Sequence, residues 1–238
     1  MKRILLFVVL LTSLLSSCGD DEITRDAERF GYQYYPLAIG NYWIFNVTEN
    51  KYVRDAISQT STYQKREWID ATVTDQTGRE WYRVQISRRN TASDAWMVSG
   101  VKLISMSSSD LRIQENNQTT VQMIFPVKNG NSFISNAFRN EDHDKPVYYT
   151  YADLGSIFTE AGNTYDNTVT LLQGDTDTQL EYQEKYEVYA AGKGPVNRTD
   201  KHYFYCDDST GEQCPYGEEY IVNGTDKLEV LESSGKME

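Results

Sequence analysis

Apolar and polar residues alternate along several segments of this chain. Two segments show the pattern most clearly, with apolar side chains at every second position: Trp43, Phe45 and Val47 in one, and Tyr82, Val84 and Ile86 in the other. Successive side chains of a β-strand point to opposite faces, so this period of two places each set on one face. We expect both segments to be strands with a buried apolar face.

Further β-prone segments follow at similar spacing, separated by polar turns such as Asn116-Asn117. The predicted strands cover residues 42–47, 62–73, 81–87, 96–104, 111–114, 120–125, 146–151, 165–172, 180–190, 202–206, 220–222 and 228–231. Short strands joined in this way are typical of antiparallel meanders. The sequence therefore predicts an all-β domain at residues 34–238, folded as a curved sheet, a half-barrel or a sandwich.

One segment departs from the strand pattern. Leu154, Ile157, Phe158 and Ala161 recur at intervals of three and four residues, and Gly162 follows them. This spacing is typical of an amphipathic helix that ends at a glycine. We expect at most one short helix in the domain, at this place.

Residues 35–46 and 125–136 share a pattern. In each, an aromatic residue and a proline lead to a glycine, Gly40 or Gly130, and then to an aromatic residue, Trp43 or Phe133. Proline ends an extended segment and glycine supplies a turn, so both segments should be turns that lead into strands with buried aromatic residues. Duplicated halves starting near residues 34 and 124 would explain the pattern. The same turn arising twice would explain it as well.

The first residues indicate where the protein resides. Lys2 and Arg3 precede an apolar run at residues 4–15, which is shorter than the roughly 20 residues that a membrane-spanning helix needs. The following Leu15-Ser16-Ser17-Cys18 resembles the lipobox of bacterial lipoproteins. That resemblance implies a signal peptide at residues 1–17, cleavage before Cys18, and acyl chains on Cys18 that anchor the protein in the outer membrane or at the cell surface.

Two further segments carry a family resemblance. Residues 18–33 form an acidic tether, and Gly19-Asp20-Asp21-Glu22 resembles the tag that follows the lipid-bearing cysteine in surface-exported lipoproteins of Bacteroidota. The segment YYPLAIGNYWIF at residues 34–45 is similar to the opening of the mature domain in uncharacterised lipoproteins of the same phylum. This resemblance implies a β-rich fold and brings no known activity.

Composition agrees with the strand pattern and restricts the partners. The chain has 18 Tyr, 8 Phe and 4 Trp, residue types that favour strands. Its formal net charge of −12 disfavours binding to nucleic acid or to anionic lipid headgroups. The membrane contact should therefore come from the lipid anchor, and the sequence shows no cofactor-binding motif.

Two cysteines remain besides Cys18. Cys206 and Cys214 enclose a short loop, and outside the cytoplasm such a pair favours a disulfide. Free thiols are the second interpretation. The third is a metal site that also uses Asp207, Asp208 or Glu212, although zinc sites usually space their paired cysteines more closely. We predict the disulfide and no metal.

The chain offers little catalytic chemistry. Its two histidines are His143, in an acidic loop, and His202, on a predicted strand, and no G-x-S-x-G motif accompanies them. A pair of carboxylates for glycoside hydrolysis cannot be chosen among 35 acidic residues. Trp81 and Trp96 are candidates for a sugar-stacking surface, but strand aromatics more often belong to the core, and we predict core positions for both.

Three functions are consistent with this sequence. The first is a non-enzymatic, lipid-anchored protein whose β domain binds a ligand, such as a glycan, or assists an envelope protein. The second is a carrier that encloses a lipid or another apolar ligand in a β cavity. The third is a secreted-side glycan hydrolase, which would need two carboxyl groups in a cleft, one of them with a raised pKa.

Overall fold

The computed structural model describes residues 27–139, 145–207 and 214–237. Predictions that concern Cys18, His143, Asp208 and Glu212 lie outside these ranges. The helical elements described are a single turn of α-helix, α1 (Ala27–Phe30), and a 3₁₀ turn at Tyr32–Tyr34. No helix in the described ranges is long and apolar enough to cross a membrane.

The rest of the domain is one antiparallel sheet of twelve strands. The strands are β1 (Asn41–Val53), β2 (Ala56–Thr74), β3 (Glu80–Arg89), β4 (Met97–Met106), β5 (Asp110–Glu115), β6 (Gln118–Ile124), β7 (Ser132–Ile134), β8 (Tyr148–Glu160), β9 (Asn163–Asp177), β10 (Glu181–Ala190), β11 (Gly194–Tyr205) and β12 (Ile221–Lys236). The all-β prediction is confirmed.

The sheet curves into a nearly closed barrel. Its strand order is β6-β5-β4-β3-β2-β1-β12-β11-β10-β9-β8-β7, with antiparallel pairing throughout. The two edge strands, β6 and β7, meet where the Val121 N–H donates a hydrogen bond to the Ser135 carbonyl over 2.8 Å. The sheet is thus curved, as one of the sequence-based alternatives predicted, and it forms a nearly closed up-and-down barrel and not a sandwich.

The two ends of the barrel differ in what lies over them. The N-terminal segment covers one end, which we call the plugged end. There the buried Tyr35 ring packs against Trp43 and Tyr189, with ring centroids 5.7 and 5.8 Å away. The β5–β6 hairpin and the Cys206–Cys214 pair lie at the opposite end, which we call the open end.

The predicted apolar face of β1 lies inside the barrel, where Trp43, Phe45 and Val47 are all buried. On β3, Val84 is buried, but Tyr82 and Ile86 are only half-buried. The indole N–H of Trp43 donates to the Lys193 carbonyl over 2.6 Å, so the polar atom of this large side chain is satisfied in the core.

The two similar segments adopt matching turns. Gly40 has φ of 92° and its N–H donates to the Ile69 carbonyl of β2 over 2.8 Å; Gly130 has φ of 78° and its N–H donates to the Tyr151 carbonyl of β8 over 2.7 Å. Each turn leads into a strand, β1 or β7, and Phe133 is buried as Trp43 is. The expected turns and buried aromatic residues are confirmed.

The predicted helix at residues 154–161 is wrong, because residues 154–160 belong to strand β8 and Ala161 lies in the turn that follows. Ala161 and Gly162 both have positive φ and form the tight hairpin between β8 and β9, so Gly162 turns a hairpin and does not end a helix. Gly155 also has positive φ where the pairing register shifts. This bulge disturbs the alternation and leaves Ile157 69% exposed, which explains the helix-like spacing.

Candidate functional site: a charged cavity inside the barrel

A cavity of about 660 Å³ occupies the barrel interior toward the open end. Its walls include Glu115 and Asn116 of the β5–β6 hairpin, as well as side chains from the middle of β2, β4, β10, β11 and β12. The Phe45 ring lies next to the cavity, with the Lys65 Nζ 5.2 Å and the Arg198 Cζ 4.7 Å from its centroid. The apolar core of the plugged end therefore gives way to a charged layer.

Arg198 of β11 is the centre of this layer. Its guanidinium makes two hydrogen bonds to Glu67, from Nη1 to Oε1 over 2.8 Å and from Nη2 to Oε2 over 3.2 Å. Nε donates to Glu187 Oε2 over 3.1 Å, and Nη1 also donates to Glu229 Oε2 over 3.0 Å. One guanidinium thus joins carboxylates from β2, β10 and β12.

Three lysines complete the group, which we call the charged cluster. Lys102 Nζ lies 2.8 Å from Glu67 Oε2, and Lys227 Nζ lies 2.7 Å from Glu229 Oε1. Lys65 Nζ lies 3.2 Å from Glu67 Oε1 and also pairs with Glu229 Oε2. The charged cluster comprises Lys65, Glu67, Lys102, Glu187, Arg198, Lys227 and Glu229.

Neutral donors also serve the cluster. Glu187 Oε1 accepts from the side-chain amides of Gln122 and Gln173 over 3.0 and 2.9 Å, and Glu187 Oε2 accepts from the Tyr189 hydroxyl over 2.6 Å. The Tyr35 hydroxyl is also buried but has no hydrogen-bond partner among the described residues.

The carboxyl groups of the cluster are ionised at neutral pH. Burial alone would raise the pKa of Glu67, but Arg198, Lys102 and Lys65 outweigh it and hold that pKa well below its usual range. The pKa values of Glu187 and Glu229 are lowered in the same way, against burial, chiefly by Arg198 and by Lys65 respectively. The cavity therefore contains no carboxyl group of the cluster that is poised to donate a proton.

The pKa values of the cations reflect the same two opposing effects, burial and the neighbouring charges. Burial lowers the pKa of Lys65 despite its two carboxylate neighbours. Glu67 overcomes the effect of burial on Lys102 and raises the pKa of that ammonium, and three carboxylates do the same for Arg198. Lys65 is thus the cation of the cluster whose charge is least well compensated.

Strand register brings the cluster together. Arg198 stands directly opposite Glu187 on β10 and Glu229 on β12. Opposite charges on facing positions of adjacent strands attract one another. Each of the three also shares its inward face with an apolar neighbour two residues away, for example Tyr189 next to Glu187 and Leu231 next to Glu229.

Sequence reasoning missed every member of the cluster. The alternation along β2 did contain a signal. Lys65, Glu67 and Ile69 are spaced two residues apart and share one face of the strand, and Ile69 is fully buried. A charged residue whose side chain points to the buried face of a strand requires a partner inside the fold. Finding that partner needs the strand order, since Glu67 and Arg198 are 131 positions apart.

The structure confirms the predicted disulfide. Cys206 and Cys214 are joined, with their Cα atoms 5.9 Å apart, in the connection between β11 and β12. The bond leaves neither sulfur as a free thiol, so the free-thiol and metal interpretations are wrong. No group of three potential metal-binding side chains is found within the described ranges.

The remaining predicted positions lie apart from the cavity. His202 is on β11 as expected, with its Nε2 2.6 Å from Glu181 Oε1. Trp81 is buried, as predicted, and its indole N–H donates to Asp75 Oδ2 over 2.9 Å. These contacts are those of structural residues.

The core position predicted for Trp96 is wrong. Trp96 precedes β4 and is half-buried between two guanidinium groups, with the Cζ atoms of Arg66 and Arg89 lying 4.8 and 4.3 Å from its ring centroid. Its residue type indicated burial, but the indole packs on cations at the surface and not on the apolar core.

Comparisons with models of protein families, with curated proteins and with solved structures find no match for this chain. The cavity and its charged cluster are therefore the basis for assigning a function.

Proposed function

We propose that this protein is a lipid-anchored binding protein of the outer membrane or cell surface, and that its barrel takes up a small polar ligand. The single observation that carries the proposal is the charged cavity of about 660 Å³. Ligand sites in proteins typically enclose roughly 300–1,000 Å³ and hold a few precisely placed polar groups. The cavity has the size of such a site and is considerably more polar.

The polarity of the cavity argues against the apolar carrier. A hydrocarbon ligand would remove water from the Lys65, Lys102 and Lys227 ammonium groups without replacing their hydrogen bonds. Leaving charged groups without solvent or partners is costly. A polar ligand can replace the lost water with hydrogen bonds of its own.

The ionisation of the cavity argues against the glycan hydrolase. That reaction needs one carboxyl group that is protonated at working pH and so has a raised pKa. Glu67, Glu187 and Glu229 all have lowered pKa values because cations surround them. Binding without chemical conversion is the better-supported function.

The position of the N-terminal segment supports the orientation of an anchored receptor. The described chain begins beside the plugged end, where the Val127 N–H donates to the Phe30 carbonyl of α1 over 3.0 Å. A lipid on Cys18 would be linked to the domain through the chain that enters at this end. The open end, with the cavity, would then face away from the membrane.

Equilibrium dialysis tests the proposal. The chain carrying Cys18→Ser would be dialysed against one pool of sugars, sugar acids, organic acids and amino acids, and against a second pool of fatty acids and sterols. The matched control is Gly100→Trp: Gly100 lines the cavity, and an added Cβ there meets no atom closer than 4.0 Å. We expect mass spectrometry to detect retention from the polar pool by the parent chain and not by the control. Retention of apolar compounds alone, or of nothing, would overturn the proposal.

A further inference from the structure

We infer that the ligand of this cavity is a small organic anion that binds through carboxylate oxygens. The inference rests on the proposed function, because it names the class of ligand that the same cavity accepts. Two observations support it. Some N–H donors at the cavity wall have no acceptor among the described residues, and the side chains of the wall include more cations than anions.

The acceptors of the cluster are already engaged. Every carboxylate oxygen of Glu67, Glu187 and Glu229 receives a hydrogen bond or an ion pair from a side chain of the protein. An ionised carboxylate can only accept. A ligand rich in donors, such as an amine, would therefore find no unengaged carboxylate oxygen in the cluster.

Donors, in contrast, remain available. The Lys102 side chain lines the cavity with only 6% of the residue exposed, and its ammonium has three N–H bonds. Within the described residues a single acceptor, Glu67 Oε2, takes one of them. Lys102 can therefore donate two further hydrogen bonds into the cavity.

Arg139 adds a second donor at the cavity wall. Its Nη2 donates to the Thr120 hydroxyl over 2.8 Å, but its Nε is buried and has no hydrogen-bond partner in the described part of the chain. Thr120 and Arg139 both line the cavity. A buried donor without an acceptor is unfavourable, and an oxygen of a bound anion would satisfy it.

The charge of the walls points to the same ligand. Six lysine and arginine side chains line the cavity, against five carboxylates. The chain as a whole has the opposite balance, with 23 basic and 35 acidic residues. Cations are thus concentrated where the ligand would bind, and the lowered pKa of Lys65 is further reason to expect that an added negative charge is stabilising there.

A matched set of probes tests this inference in the intact barrel. Glucuronate, glucose and glucosamine have the same ring and differ in charge, and citrate adds a probe with more carboxylates. Each would be titrated at constant ionic strength into ¹⁵N-labelled protein carrying Cys18→Ser. The Gly100 amide reports on the cavity wall, and the Gly78 amide, in the β2–β3 turn at the plugged end, is the control.

We expect saturable shifts of Gly100 with glucuronate or citrate, none with glucose or glucosamine, and none at Gly78. Binding of glucose or glucosamine without binding of either acid would overturn the inference and leave the proposed function standing. No saturable shift with any probe would also overturn the inference. The dialysis experiment would then decide whether the proposed function is correct.

Two variants distinguish a direct contact between Lys102 and the ligand from a general effect of positive charge on binding. Lys102→Met should weaken binding of the acid by roughly tenfold or more, since a charge-assisted hydrogen bond is lost. Lys201→Met is the matched control, because Lys201 pairs with Glu184 and does not line the cavity. If Lys102→Met does not fold, Arg139→Gln should give the same weakening. Equal affinity in the parent chain and in a folded variant at the cavity would contradict the role of these donors.

Discussion

Arg198 and Glu67 are 131 positions apart in sequence, yet two hydrogen bonds of 2.8 and 3.2 Å join them inside the barrel. The pair links β2 to β11 through the interior, although these strands are not neighbours in the sheet. Glu67 is only 2% exposed, so its charge depends on this partner and on the two lysines beside it. The buried charges of the barrel thus depend on one another for compensation.

Glu67→Gln should be strongly destabilising. The change removes a negative charge and leaves Arg198 and Lys102 buried with too few partners, which typically costs about 3–5 kcal/mol. Urea denaturation followed by tryptophan fluorescence measures the free energy of unfolding. Glu184→Gln is the control, because its pair with Lys201 is much more exposed than the Glu67 pairs and should contribute about 0–1 kcal/mol. Similar losses in both variants would contradict a stabilising role for the buried pair.

Stability should fall steeply under acidic conditions. The pKa values of Glu67, Glu187 and Glu229 are lower in the folded chain than in the unfolded one. In an unfolded chain the pKa of glutamate is about 4.3. Depressed carboxyl pKa values contribute stability above the unfolded value, and that stability is lost as the pH falls below it. We expect the free energy of unfolding to decrease progressively below about pH 5. Glu67→Gln should make this decrease shallower, and an equal slope in both proteins would contradict the assignment.

Gly194 should not tolerate a side chain. It has φ of 89°, and a Cβ there would lie 2.7 Å from Trp43 Nε1. Gly192 is a close control, since its φ is 72° but no atom lies within 4 Å of an added Cβ. Gly192→Ala should cost about 1–2 kcal/mol from backbone strain, and Gly194→Ala should cost about 1–3 kcal/mol more from the clash. Thermal unfolding compares the two, and equal costs would show that the indole can move aside.

Much of the fold could be predicted from local pattern alone. The alternation of Trp43, Phe45 and Val47 identifies a buried face, and Gly40 and Gly130 identify two turns, because each of these features depends on a few consecutive residues. The charged cluster could not be predicted in this way. Lys65 and Glu67 lie in a segment that is mostly polar, and Arg198 lies between two predicted strands. Only the strand order shows that these charges meet.

The β8–β9 hairpin shows a second limit of the sequence pattern. Two positive-φ turn residues, Ala161 and Gly162, follow a bulged strand, and together they imitate the spacing and termination of a helix. Periodicity counts intervals between apolar residues, but it does not detect an extra residue in one strand of a pair.

The anchoring proposal depends on Cys18. Cys18→Ser removes the thiol that would accept lipid, so the variant should fractionate with the soluble proteins while the parent protein fractionates with membranes. Immunoblots of both fractions from the native host measure this distribution. Cys206 and Cys214 are joined to each other in both proteins, so the comparison tests Cys18 alone. Membrane association of the Cys18→Ser chain would contradict lipid attachment at this residue.

The most direct test of an open, anion-selective cavity is the reactivity of a thiol placed inside it. Gly100→Cys, in a chain with Cys18→Ser, puts one reactive thiol on the cavity wall, and Val98→Cys puts one at a position that is 60% exposed on the same strand. Each would react with two methanethiosulfonates of similar size, the anionic sulfonatoethyl reagent and the cationic trimethylammonioethyl reagent. The predicted result is a ratio of anionic to cationic rate that is clearly higher at Gly100→Cys than at Val98→Cys, and that falls toward the Val98→Cys value with added salt. A thiol at position 100 that is unreactive in the folded protein, or that prefers the cationic reagent, would contradict the account.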